Sequence, residues 1–142
     1  MRTILIAHHD QSFTEQLAAE LRESGYRVID CPGPWPPKFR CIRCDKGYCP
    51  LTESADLMIY DPELTGRDEL GRPHNLAVDS ARAHPELPML LAWPRTDPPD
   101  VGTLRSMKAE VPHVHVAASE PDTRLRQIRE LIAGSSALEM LG

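Results

Sequence analysis

A doubly wound α/β sandwich built on a five-stranded parallel sheet is the fold this sequence predicts, and two observations predict it. Five short aliphatic or β-branched runs alternate with helical patterns, and three of those runs are continuously apolar. Strands that are apolar on both faces need helices on both sides to cover them, which is the environment of a parallel sheet. Strand–helix alternation builds such a sheet with right-handed crossovers. The size agrees, since 142 residues with 41% hydrophobic content suit one domain with its own core.

The first strand is TILIA, residues 3 to 7. A helix follows over 12 to 24, where Ser12 and Glu15 have the spacing of a capping box, Phe13, Leu17 and Leu21 share one face, and Gly25 ends the run. YRVID (26 to 30) and DLMIY (56 to 60) are the second and third strands. NLAVDSARAH (75 to 84) predicts a helix, PMLLAW (88 to 93) the fourth strand, and 98 to 110 a less periodic helix. HVHVAA (113 to 118) is the fifth strand, with His113 and His115 as the polar face of a sheet edge. The last helix, 121 to 133, opens on Pro121 and Asp122 and turns Leu125, Ile128 and Ile132 inward. The domain is thus expected to span 1 to 133, with 134 to 142 a C-terminal tail or short partner-binding segment.

Charge and hydropathy narrow the function classes. Sixteen Lys and Arg against 21 Asp and Glu give a formal charge of −5, which disfavours a general nucleic-acid surface. Trp35 and Trp93 have no basic surface beside them and read as packing residues rather than base-stacking platforms. The apolar run at 3 to 7 is too short for a signal-peptide core, and no window approaches the roughly 18 apolar residues of a membrane span. A cytoplasmic protein with no membrane partner is expected. In a reducing cytosol, four cysteines point to a metal or redox site before a disulfide framework.

Doubly wound sheets place their working residues at the carboxyl ends of the strands. Here those ends read HHD (8 to 10), YDPELTG (60 to 66), AWPRTD (92 to 97) and AASEPD (117 to 122). Over residues 1 to 133 the chain resembles the CheY-like receiver domain of two-component response regulators. The stretch ILIAHHDQSFTEQLAAELRESGYRV has that family's register, and ADLMIYDPELTG matches its third strand and the turn after it. The resemblance implies that Asp61 stands at the phosphoacceptor position. It also implies that the family's acidic Mg²⁺-binding pair is His8 and His9 here, that its hydroxyl is Trp93, and that its lysine is Glu120 ahead of Pro121.

Mg²⁺ takes oxygen ligands, whereas neutral imidazole suits softer metals, so His8 and His9 should not restore that site. A phosphoryl group on Asp61 would also lack the hydroxyl and the cation that read it out. A degenerate receiver, or pseudo-receiver, is therefore expected: non-enzymatic, and acting through protein partners, a second copy of the chain among the candidates. Two other readings of these residues stay open. Asp61 could be a polar strand end kept for turn geometry with Pro62, or His8, His9, Asp10 and Asp61 could form a metal site of the Fe²⁺, Mn²⁺ or Zn²⁺ type. Neighbours along a strand point opposite ways, so the latter requires the first strand to have ended before His8. Asp10 is otherwise placed to start or cap the first helix.

Residues 31 to 50, CPGPWPPKFRCIRCDKGYCP, fall where the family has its second helix. Pro32, Pro34, Pro36 and Pro37 break any helix there, and no apolar residues recur at helical spacing before Leu51. Cys31, Cys41, Cys44 and Cys49, spaced C-x9-C-x2-C-x4-C, are compatible with one tetrahedral Zn²⁺ fixing a loop that has no core of its own. Lys38, Arg40, Arg43 and Lys46 would offset the charge of such a tetrathiolate. An Fe-S cluster, or free or reversibly oxidised thiols, remain alternatives, and either would make the chain a redox or metal sensor.

Overall fold

In chain order the elements are β1 (Thr3–Ala7), α1 (Gln11–Glu23), β2 (Arg27–Cys31), β3 (Leu57–Tyr60), β4 (Thr65–Arg67), β5 (Pro73–Asn75), α2 (Leu76–Ala83), β6 (Met89–Leu91), α3 (Val101–Glu110), β7 (His115–Val116) and α4 (Pro121–Leu141). This computed structural model describes residues 1–31, 53–67 and 70–141, with side chains up to residue 134. Five strands form one sheet in the order β2-β1-β3-β6-β7, and every pairing is parallel. The predicted doubly wound α/β sheet is thus the observed one. Among the described residues no helix is long and apolar enough to cross a membrane.

Alternation along the central strands makes two cores. Ile4, Ile6, Leu57, Ile59 and Leu90 face Phe13, Leu17 and Leu21 of α1 and Ile128 and Ile132 of α4. Leu5, Met58, Tyr60, Met89 and Leu91 face Leu76, Ala77 and Ala81 of α2 and Met107 of α3. Burial on both faces is what the continuous apolar runs required. The second core holds one polar pair, the Ser80 hydroxyl donating to the Tyr60 hydroxyl at 2.9 Å.

Several local expectations are corrected. Helix α1 is capped by Asp10, whose Oδ1 accepts from the Phe13 N–H at 3.0 Å, and not by a box of Ser12 and Glu15. The strand ends at Ala7, so the chain has only His8 and His9 in which to turn before a cap is needed. Gly25 closes the helix at φ +92°, a left-handed position that favours glycine. Residues 134–141, expected as a tail, continue α4, because Ala137 to Leu141 are good helix formers and no proline stops them. The fifth strand is shorter than its apolar alternation suggested, two residues at the sheet edge. Its outward groups are occupied by one side chain of α4: Gln127 Nε2 donates to the Val116 carbonyl at 2.9 Å, and Gln127 Oε1 accepts from the Ala118 N–H at 3.0 Å.

The antiparallel pair β4–β5 was not anticipated at all. Its strands, TGR and PHN, carry neither alternating apolar residues nor β-branched runs. Asn75 fastens the hairpin to the turn after β3: its Nδ2 donates to the Pro62 carbonyl at 2.8 Å while its Oδ1 accepts from the Val78 N–H at 3.0 Å and caps α2. His74 adds an ion-pair contact to Asp79 of that helix.

Of the cysteine segment, only Cys31 lies among the described residues. It ends β2 opposite Ala7 of β1, half-buried against the core that contains Leu5 and Ala7. The expected ligands Cys41, Cys44 and Cys49, and the packing role expected for Trp35, lie outside the described residues.

Candidate functional site

Because β1 pairs with both β2 and β3, the chain reverses direction across the sheet at β1, and the loops after β1 and β3 open a crevice between them. His8 and His9 leave the end of β1, and Asp61 leaves the end of β3. The Asp61 N–H donates to the Ala7 carbonyl at 2.8 Å, which extends the β1–β3 ladder by one bond and fixes the carboxylate at the crevice floor. Asp61 is 2% exposed.

Three donors hold the Asp61 carboxylate. Glu63 N–H donates to Oδ1 at 2.9 Å, His9 N–H donates to Oδ2 at 3.3 Å, and the His9 ring contacts the same oxygen through Nδ1. That contact raises the His9 pKa above its ordinary value, since a hydrogen bond to a carboxylate favours the imidazolium. The His9 ring is otherwise half-exposed, and the carboxylates of Asp10 and Asp97 lie close enough to favour its charge further.

His8 has the opposite environment. Its side chain is wholly buried, and burial pushes its pKa below the ordinary value. Nε2 lies 3.0 Å from the Ala92 carbonyl, which can only accept, so Nε2 carries the proton. Nδ1 accepts from the Asp10 N–H at 3.0 Å. The Nε2–H tautomer is thereby fixed, with the Nδ1 lone pair on the Asp10 N–H and Nδ1 itself 3.9 Å from Asp61 Oδ2. The His8 ring stacks on His9 at 5.1 Å and leans on Phe13 at 4.9 Å.

Of the residues singled out in the sequence, the structure thus brings together His8, His9 and Asp61, whose ligand atoms lie within 4.8 Å of one another. The condition for this was that the strand stop before His8, and it stops at Ala7. Asp10 flanks the group but spends its side chain on the helix cap. Ala92, buried, and Trp93, half-buried, follow β6. Glu120 is exposed and starts α4, its carbonyl accepting from the Arg124 N–H at 2.9 Å. Ala92 was not anticipated as a site residue, because it acts through its carbonyl, which no side-chain pattern reveals.

The His9–Asp61 pair makes a pH prediction whose sign follows from linkage. A histidine whose folded pKa is raised contributes stability that is fully present below its unfolded value near 6.5 and is lost as pH rises through the folded value. The destabilisation caused by His9→Ala, read from chemical denaturation midpoints, should accordingly be greatest below about pH 6.5 and shrink above it. A difference that stays constant across that range would contradict the pairing.

No family model and no curated protein matches the chain in sequence. Solved structures do match its fold. The CheY-like response regulator receiver domain protein of Methanospirillum hungatei aligns with a TM-score of 0.61 and 14% identity, over 96% of this chain and 98% of its own. The signal receiver domain of a modulated diguanylate cyclase from Desulfovibrio desulfuricans aligns with a TM-score of 0.64 and 20% identity, over 96% and 98%. NtrX from Brucella abortus aligns with a TM-score of 0.63 and 16% identity over 99% of this chain, which spans 29% of the NtrX chain. Sheet order, all-parallel pairing and these alignments agree that the chain has the fold of CheY-like response regulator receiver domains.

Proposed function

We propose that this chain is a pseudo-receiver, a non-enzymatic regulatory module that works through protein contacts and is not switched by phosphorylation of Asp61. The observation that carries the reading is the pairing of His9 with Asp61: a histidine ring, which offers no oxygen ligand for the Mg²⁺ that phosphoryl transfer to a carboxylate requires, engages Oδ2 of the carboxylate. Neither histidine offers the oxygen ligands Mg²⁺ prefers. Trp93 and Glu120 supply neither a hydroxyl nor a cation to follow a phosphoryl group, and Glu120 would repel one.

Incubation with Mg²⁺ and a small phosphodonor should give no phosphoryl-adduct mass, and Asp61→Asn should leave partner binding nearly unchanged. A stable adduct that disappears in Asp61→Asn would refute the reading.

The same proposal gives the cysteine segment a structural role: one Zn²⁺ held by Cys31, Cys41, Cys44 and Cys49. What supports it is the C-x9-C-x2-C-x4-C spacing together with the place of Cys31, fixed in the β2 ladder beside β1, where it provides one rigid ligand for an otherwise core-less segment. That segment's sequence falls where the receiver pattern has its second helix, and in this reading it is a candidate contact surface.

A further inference from the structure

The ring nitrogens around Asp61 have a geometry that a phosphorylation-independent module does not need. Nδ1 of His8 and Nδ1 of His9 both face Oδ2 of Asp61, one from 3.9 Å and the other in direct contact. With metal–ligand bonds of about 2.0 to 2.2 Å, donor atoms around one small ion stand roughly 3 to 4 Å apart. The His8–Asp61 spacing is already of that size, and the His9 contact would open as an ion replaced the Nδ1 proton.

We propose that His8, His9 and Asp61 form a two-histidine, one-carboxylate centre for a borderline divalent transition ion of the Fe²⁺, Mn²⁺, Co²⁺ or Zn²⁺ class, with its remaining coordination positions open to solvent. The centre goes beyond the pseudo-receiver reading and does not depend on it.

His8 supplies the strongest argument. A metal-bound histidine almost always donates its other ring N–H to a carbonyl or carboxylate, which fixes the tautomer and aims the lone pair. His8 does this already: Nε2–H donates to the Ala92 carbonyl at 3.0 Å. The lone pair's present partner, the Asp10 N–H at 3.0 Å, is a single neutral hydrogen bond that an ion would displace.

His9 supplies the second nitrogen and the access route. When the ion binds, the proton that Nδ1 shares with Asp61 passes to solvent or to Nε2, the Nδ1 lone pair forms the metal bond, and the rest of the half-exposed ring keeps Nε2–H. Asp61 keeps Oδ1 on the Glu63 N–H at 2.9 Å and turns Oδ2 to the ion, so the carboxylate stays oriented. Asp10 is not among the residues whose ligand atoms converge, and its Oδ1 caps α1. Two nitrogens and one oxygen suit borderline ions and disfavour Mg²⁺.

Co²⁺ added to the full chain tests this, because it stands in for the class and distinguishes nitrogen from sulfur ligands. Binding at the proposed centre should shift ring-proton resonances of two histidines far outside the diamagnetic range. Any Co²⁺ held by the cysteines would show instead as intense thiolate-to-cobalt absorption in the near ultraviolet. Asp61→Asn and His9→Ala should each weaken the histidine-linked Co²⁺ at least tenfold while leaving the far-ultraviolet circular dichroism unchanged, and excess Mg²⁺ should not compete. Co²⁺ confined to thiolates, no shifted histidine resonances, or unchanged affinity in both folded variants would overturn the proposal.

Discussion

Removing zinc from the purified chain should release about one equivalent and lower the melting temperature by more than about 10 °C. Structural Zn²⁺ in small cysteine-rich peptides contributes on the order of 10 kcal/mol of folding free energy, because the site does not exist in the unfolded chain. Residues 32 to 50 contain no apolar periodicity that could hold them in place without it. Cys44→Ser should reproduce much of the loss, since water filling the fourth position binds zinc more weakly than a thiolate and ties down no part of the chain. While the metal is bound the thiols should also resist mild oxidants, the sulfur lone pairs being engaged. Purified protein that is brown, with visible absorption, would move the segment to an iron-sulfur cluster and the chain to a sensor. Protein without zinc or iron, and with four freely titrating thiols, would end the metal reading of the cysteines.

His8→Leu should cost about 3 kcal/mol, near 10 °C in a domain of this size. The leucine fills a similar volume but leaves the Asp10 N–H and the Ala92 carbonyl without the ring that serves both, and each buried orphan costs about 1 to 3 kcal/mol. Apolar burial against Phe13 returns part of that. His9→Ala should cost under about 1 kcal/mol, the range of a half-exposed ion pair. Urea midpoints at constant slope measure both. Equal losses at the two positions would mean that His8 is not the keystone of the crevice that its hydrogen bonds imply.

The architecture was legible because periodicity is a property of long segments. Phe13, Leu17 and Leu21 all reach the core of the face they were assigned to, and Ile4, Ile6, Leu57 and Ile59 are buried with them. What the sequence hid is local and depends on single bonds. Whether Asp10 or Ser12 caps α1 turns on where β1 stops, and a one-residue shift of that boundary decides it. The hairpin β4–β5 is held by Asn75 and by backbone pairing, and three-residue strands leave no pattern to count. The convergence of His8, His9 and Asp61 could be named from position but not established, because strand geometry alone would have sent adjacent histidines to opposite faces. The opposite pKa directions of the two rings, lowered by burial at His8 and raised by the hydrogen bond to Asp61 at His9, lie entirely in their surroundings.

The carboxamide of Gln127 on the rim of β7 has a bearing on how this chain meets other chains. A parallel sheet that ends in an open strand offers a ready template for β-augmentation, donor-strand exchange or amyloid-like stacking. Here a glutamine imitates one peptide unit of a neighbouring strand, giving a donor and an acceptor in the spacing the rim presents. The template is filled from within, at the cost of one ordered side chain and without a charge or a proline. Main-chain zippering onto this edge would first have to displace the Gln127 carboxamide from the Val116 carbonyl and the Ala118 N–H.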